Sequence, residues 1–291
     1  MAFLDNKKQY VIPIVALVML IDLWSFGRNY VNSDDFANKS VMQRPFQATA
    51  ADRAIQKDTT RYRVFEPRLG MAHARTAYFH NTIGGYHGAK PHRMQDLYDY
   101  HLSETISPNV VNMLNIKYTL QTAEDGSLTA GVNPSTFGNA WLVEEVISCS
   151  SANDEIQRLA IEDLERKALT TENISQNQFA LDSLSQISLV SHKANELRYR
   201  VTVSSTAFAV FSEMYYPHGW KSFINGDEVS HHRVNYALRG LLIPAGTHEI
   251  LFRFEPNVIA RGSRIRLAGY GVFSLIVFVF FVPLKRFGLK Q

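Results

Sequence analysis

The stretch 215–256, YYPHGWKSFINGDEVSHHRVNYALRGLLIPAGTHEILFRFEP, decides how this chain is read. Asn225-Gly226 stands between apolar residues, and a tight type I′ turn needs positive φ at both central positions, so the dipeptide marks a β-hairpin. Residues 237–243 form a second apolar run, and Pro244-Ala245-Gly246 turns the chain. His248, Ile250, Phe252 and Phe254 then alternate with Glu249, Leu251 and Arg253. That period of two belongs to a strand with one buried face.

Working outward, residues 186–190, 196–203 and 207–215 read as further strands, and within 196–203 Leu197, Tyr199, Val201 and Val203 alternate with Arg198, Arg200 and Thr202. Turn-spaced strands of this kind predict a β-sandwich over 171–256. The preceding part, 43–169, reads as a mixed α/β region. Thr49-x-x-Asp52 opens a helix within 46–57, and Ser151-x-x-Asp154 opens another running to 168. Helices are also expected over 93–102 and from Ser107-Pro108 to 114, and strands over 62–65, 77–79, 116–120 and 140–147. The fold class is α+β, with apolar segments at both ends.

Those ends set the compartment. Residues 267–284 run about eighteen positions without a charge, close to the length that crosses a hydrocarbon core. Lys285, Arg286 and Lys290 follow. Residues 10–23 form a shorter apolar run behind Lys7 and Lys8. Basic residues outside both segments predict two membrane helices, within 1–28 and 265–286, both termini cytoplasmic and the body between them outside. Arg261, Arg264 and Arg266 on the outer flank weaken that charge asymmetry. A cleaved signal peptide is the competing reading of the first segment, with Ser25-x-Gly27 as the cleavage site. Asp22 reads as a solvated helix-end residue near the outer headgroups.

Composition excludes some functions. Basic and acidic residues number 30 and 27, a net charge of +3, so nothing points to nucleic acid. Cys149 is the single cysteine and reads as a small buried apolar residue. His73, His80, His87 and His92 fit no common zinc spacing, and the adjacent His231 and His232 would face opposite sides of a strand. Neither metal nor cofactor is expected. No nucleophile motif occurs, and the neighbouring acids Glu144-Glu145, Asp154-Glu155 and Glu162-Asp163 each read as a solvated face. No catalytic residue is assigned.

Aromatic and forked polar side chains are better candidates, because sugars stack C–H faces on rings while their hydroxyls seek donors and acceptors. One set is Trp220, Asn235, Tyr236 and Arg239, with Tyr215 and Tyr216 nearby. Trp220 as core filler and Arg239 as an internally paired cation is the competing reading. The second set lies in and after the glycine-rich segment Ile83-Gly84-Gly85-Tyr86-His87-Gly88: Tyr86, His87, Lys90 and Arg93 suit a diphosphate or lipid-phosphate headgroup. The spacing of a nucleotide P-loop is absent.

The order of tyrosine-rich strand, Pro217-His218-Gly219-Trp220, Asn-Gly hairpin, Asn235-Tyr236-Ala237-Leu238-Arg239, Pro-Ala-Gly-Thr-His and a closing Phe-Glu-Pro resembles the carboxy-terminal part of the YfhO family of bacterial membrane proteins. Ile83–His87, Arg93-Met94-Gln95-Asp96 and the segment 112–118 add to the likeness, which runs over residues 10–284. Full-length members carry many earlier membrane helices. The resemblance implies a polytopic glycosyltransferase of the cytoplasmic membrane that uses a lipid-phosphate sugar to decorate cell-surface polymers. Its catalytic acid is expected in an early loop with no counterpart here, so the chain is expected to be a truncated, accessory, glycan-recognising part. Its partners would be the bilayer, a polyprenyl-phosphate sugar or surface glycan, and upstream membrane helices of the same system. A membrane-tethered carbohydrate-binding or structural module without transferase activity is the alternative.

Overall fold

A computed structural model describes residues 2–281. The far end of the expected second membrane segment, 282–286, and Lys290 lie outside the described residues, Lys285 and Arg286 with it, as do the side chains of Lys7 and Lys8. Two units are separable, residues 1–48 and 49–291.

The first unit is α1 (Ala2–Arg28), two 3-10 turns and the short α2 (Lys39–Gln43). Asn32 and Asp35 close a capping box around the first turn, each side chain accepting a backbone N–H at 2.8 Å. Asp22 is exposed on α1. In the second unit, α3 (Ala50–Ile55) begins only after Thr49. The expected start at 46 is corrected, because the Thr49 hydroxyl accepts the Asp52 N–H while the Asp52 carboxylate accepts that of Thr49. Phe46 instead ends a 3-10 turn.

After α3 come β1 (Arg63–Phe65), α4 (Ala74–Phe79), α5 (His92–His101), α6 (Pro108–Met113), β2 (Ile116–Thr122) and β3 (Leu128–Val132). The strand expected at 77–79 is the end of α4. His73 Nδ1 caps that helix by accepting the Arg75 N–H at 3.2 Å, and its side chains Arg75 and Thr76 reach buried acids. β1 runs parallel to β2, which pairs antiparallel with β3.

The single strand expected over 140–147 is two: β4 (Ala140–Val143) and β5 (Glu145–Ser148). Glu144 diverts the chain, its N–H donating to the Arg166 carbonyl at 2.8 Å and its carbonyl accepting from Phe179 N–H at 2.8 Å. The helix expected to reach 168 stops as α7 (Ala152–Arg158). Asn109 Nδ2 donates to the Leu159 and Glu162 carbonyls just beyond it, at 3.3 and 2.8 Å. Ala168 and Leu169 are both fully buried, as consecutive residues are in a strand covered on two faces. They lie in β6 (Lys167–Thr170), parallel to β5.

The remaining strands are β7 (Gln186–Lys193), β8 (Glu196–Val203), β9 (Ala207–Met214), β10 (Trp220–Ile224), β11 (Asp227–Val229), β12 (His232–Val234), β13 (Leu238–Ile243) and β14 (Gly246–Phe254). The 225–226 hairpin forms as read, with φ of 53° at Asn225 and 99° at Gly226. Antiparallel pairing gives a five-stranded sheet, β11-β10-β14-β8-β7, and a four-stranded sheet, β12-β13-β9-β4. One apolar cluster draws Leu197, Tyr199 and Phe252 from the first and Ala209, Phe211 and Leu241 from the second. The opposite face of β9 sends Phe208 and Val210 into a larger cluster with Phe65, Leu97, Val110 and Leu169. Cys149 is buried within that cluster.

The chain leaves β14 through Glu255-Pro256 and enters α8 (Asn257–Phe281). The described residues thus hold a mixed α+β body and two helices long and apolar enough to cross a membrane.

Candidate functional site

The glycine-rich segment leaves the body next to β1, where Val64 N–H donates to the Asn81 carbonyl at 2.7 Å. Ile83 is buried and anchors it. Gly84 must be glycine, since a Cβ there would stand 2.1 Å from the Met71 carbonyl oxygen. Gly85 donates its N–H to that same oxygen at 2.8 Å with a φ of 140°. Two glycines therefore press the backbone flat against residue 71, and the chain must then turn outward. Tyr86 is 84 % exposed. With Ala72, Gly85, His87, Gly88 and Lys90 it lines an open cavity of about 330 Å³. His87 is exposed and Lys90 half-buried. Phenol, imidazole and ammonium groups thus gather on one short loop, facing solvent.

Arg93, at the start of α5, does not join them. Its Nη1 donates to the Tyr236 carbonyl at 3.0 Å, and its guanidinium lies 4.4 Å from the Tyr236 ring centre. Asn235 and Tyr236 form the β12–β13 turn with φ of 47° and 69°, unusual for non-glycine residues. Contacts on every side hold that turn. The Asn235 side-chain oxygen accepts the Leu169 N–H at 2.8 Å, and the Asn235 N–H donates to the Leu169 carbonyl at 2.7 Å. Tyr236 N–H donates to Glu155 Oε1 at 2.8 Å, and its hydroxyl donates to Asp96 Oδ2 at 2.6 Å. Asn235 is 0 % and Tyr236 8 % exposed. The turn latches the four-stranded sheet onto α5, α7 and β6.

Trp220 and Arg239 meet each other. The Arg239 guanidinium lies 4.1 Å from the indole centre and 5.2 Å from that of Phe252, and its Nε donates to the Met214 carbonyl at 2.8 Å. Burial pushes the Arg239 guanidinium down to about 10. Tyr215 and Tyr216 lie between β9 and β10, Tyr216 partly exposed and 6.5 Å from the Phe254 ring.

The histidines are dispersed among separate partners. His80 Nε2 lies 2.9 Å from Asp52 Oδ1, His92 Nδ1 lies 3.0 Å from Asp96, and His232 Nδ1 lies 3.1 Å from Glu172. His231 sits just before β12, with Nδ1 2.9 Å from the Ser222 hydroxyl. Burial, with the Arg239 charge behind it, pulls His231 down to about 4.

The burial of two carboxylates was not legible in the sequence. Glu155 is fully buried rather than on a solvated face. Burial raises its pKa, opposed by the Tyr236 amide and by Arg233 and Arg93. Asp52 is also fully buried, but burial is outweighed there by hydrogen bonds from Thr49 and His80 and by the Arg75 charge, so it sits below the usual carboxylate range. Arg75 also donates to Glu66 at 3.1 Å. Asp52 and Glu66 come from distant segments, yet exposures of 0 and 4 % close them to a substrate. The legible signal for Asp52 was its place in the capping box. Nothing local marked Glu155, because its partner lies 81 residues away.

Comparison of the chain with protein-family models, with curated proteins and with solved structures finds no match.

Proposed function

We propose that this chain is the glycan-recognising, non-catalytic part of a YfhO-like membrane glycosyltransferase system, acting on the outer face of a bacterial cytoplasmic membrane. In this reading both apolar helices span the bilayer, both termini are cytoplasmic, and the five- and four-stranded sheets pack as a β-sandwich. The ligand is a cell-surface glycan or the sugar of a polyprenyl-phosphate donor, and upstream membrane helices of the same system carry the catalysis.

One observation carries the reading: Tyr86 presents a bare phenol ring beside His87 and Lys90 on a loop that two glycines hold against the body. A ring offered this way stacks on a sugar face, while the cation and imidazole meet hydroxyls or a phosphate. The span at α8 begins three residues after β14 ends at Phe254, which keeps the body close to a lipid surface.

The test uses the full chain in lipid nanodiscs. Saturable binding of a polyprenyl-phosphate sugar or of surface glycan is expected by calorimetry, weakened at least tenfold by Tyr86→Ala. Binding indifferent to Tyr86→Ala misplaces the site. No binding of either ligand leaves the rival, a membrane-tethered structural module. Cysteine labelling of whole cells at an introduced Tyr86→Cys should succeed from outside; labelling only after lysis would overturn the topology.

A further inference from the structure

A second cleft, sharing no residue with the 83–90 loop, lies where the edge strands β4 and β7 approach the segments 59–61 and 137–140. Its volume is about 650 Å³, within the range of small-molecule sites, and Thr59, Arg61, Asn139, Ser188, Ser191 and His192 are among its lining. β7 is an edge strand, and its pairing with β8 slips between Leu189 and Ser191. Such bulges re-aim side chains at sheet rims.

Behind the cleft the cations outnumber the anions. Glu213, at the end of β9, is the carboxylate that acts on Arg61, on His192 and on the buried Arg239. It is already engaged: Arg63 Nη2 lies 3.3 Å from its Oε2 and His192 Nε2 3.8 Å from its Oε1. Arg63 is further satisfied by the Leu114 carbonyl at 2.8 Å. Arg239 is 2 % exposed and leaves its Nη1 without a hydrogen-bond partner. Arg61 is only half-buried, lines the cleft, and among the described residues its guanidinium makes neither hydrogen bond nor ion pair. Gathering three guanidinium groups around one carboxylate away from bulk water is unfavourable by itself. A forked guanidinium with free donors matches an oxyanion.

We infer that this cleft binds a small ligand through a carboxylate or phosphate group, held by the guanidinium of Arg61 with His192, Asn139 and the hydroxyls of Thr59, Ser188 and Ser191 around it. The inference stands independently of the carbohydrate loop. Burial, then Arg61 and Arg63, hold His192 below its ordinary value, with Glu213 opposing them. An anion beside Arg61 offsets those guanidinium charges, so its binding takes up protons.

The experiment is calorimetry on the full chain in nanodiscs near pH 6.5, in two buffers of different ionisation enthalpy, with inorganic phosphate, glucuronate and neutral glucose as probes. Saturable binding of at least one anion is expected, with proton uptake where that anion is glucuronate, and none of glucose. Phosphate alone, or glucuronate alone, identifies which oxyanion the cleft accepts. Arg61→Gln weakens binding at least tenfold without lowering the unfolding midpoint, since among the described residues its guanidinium has no hydrogen bond or ion pair to lose and the attraction of Glu213 is offset by its own burial and by Arg63. Arg61→Lys, which keeps the charge but not the fork, lies between. Tyr86→Ala leaves anion binding unchanged, so the two sites fail separately. Silence from both anions, equal binding of glucose, or full affinity in Arg61→Gln overturns the inference.

Discussion

The 83–90 loop and the 231–239 segment carry the same kinds of side chain and use them in opposite ways. Tyr86, His87 and Lys90 have their counterparts in Tyr236, His231 and Arg239. On the loop the phenol ring is 84 % exposed; on the other segment it is 8 % exposed and covered by Arg93. The difference comes from the backbone. Gly84 and Gly85 lie flush on the Met71 carbonyl, so the next residue must project outward. Asn235 and Tyr236 adopt left-handed φ inside a ring of hydrogen bonds, donated by Leu169 and Arg93 and accepted by Glu155. Residue chemistry alone therefore does not separate an exposed surface from a latch; the satisfaction of the neighbouring backbone does.

The largest test of this contrast is Tyr236→Ala. It removes a buried ring and its hydroxyl bond to Asp96, and should lower unfolding free energy by about 3–5 kcal/mol in urea titrations. A loss below about 1 kcal/mol would break the comparison. The two histidines come next. His231 is held near 4 in the fold against an ordinary 6.5. Its folded value is depressed, so the unfolded chain takes the proton first, and stability is full above pH 6.5 and declines as pH falls toward about 4. The decline amounts to roughly 3 kcal/mol. His231→Gln should flatten that limb of the stability profile. Arg93→Ala follows, losing one charged hydrogen bond and a ring contact, for about 2 kcal/mol. Smallest is Tyr86→Ala, expected within about 0.5 kcal/mol of the parent in the same titration. A Tyr86 change as costly as that at Tyr236 would mean the loop is a second latch.

Periodic and local signals were readable in the chain. The alternation of 197–203 and 248–254 and the Asn225-Gly226 turn reappear as β8, β14 and the β10–β11 hairpin. The Thr49–Asp52 and Ser151–Asp154 caps sit where the residues place them. What was not readable depends on distant partners. Residues 140–147 look like one strand because apolar content does not report that Glu144 N–H will meet Arg166. Ala168 reads as helix until β5 pairs alongside it. Of the candidate site residues, Tyr86, His87 and Lys90 converge on one cavity, which a contiguous segment makes legible. Arg93 with Tyr236, and Trp220 with Arg239, meet across gaps no local pattern spans. Arg61 and the Glu213 carboxylate behind it were invisible for the same reason: the cleft that Arg61 lines is assembled from segments far apart along the chain.

β4 limits where the polypeptide can be divided. It lies ahead of α7 and β6 in the chain, yet it completes the rim of a sheet whose other members all come after them. Severing the backbone after Thr170 would leave each piece with a raw hydrogen-bonding rim, one missing its cover and the other missing its outermost rung. Co-expressed, the two fragments should reassociate; made separately, each should drift into insoluble material.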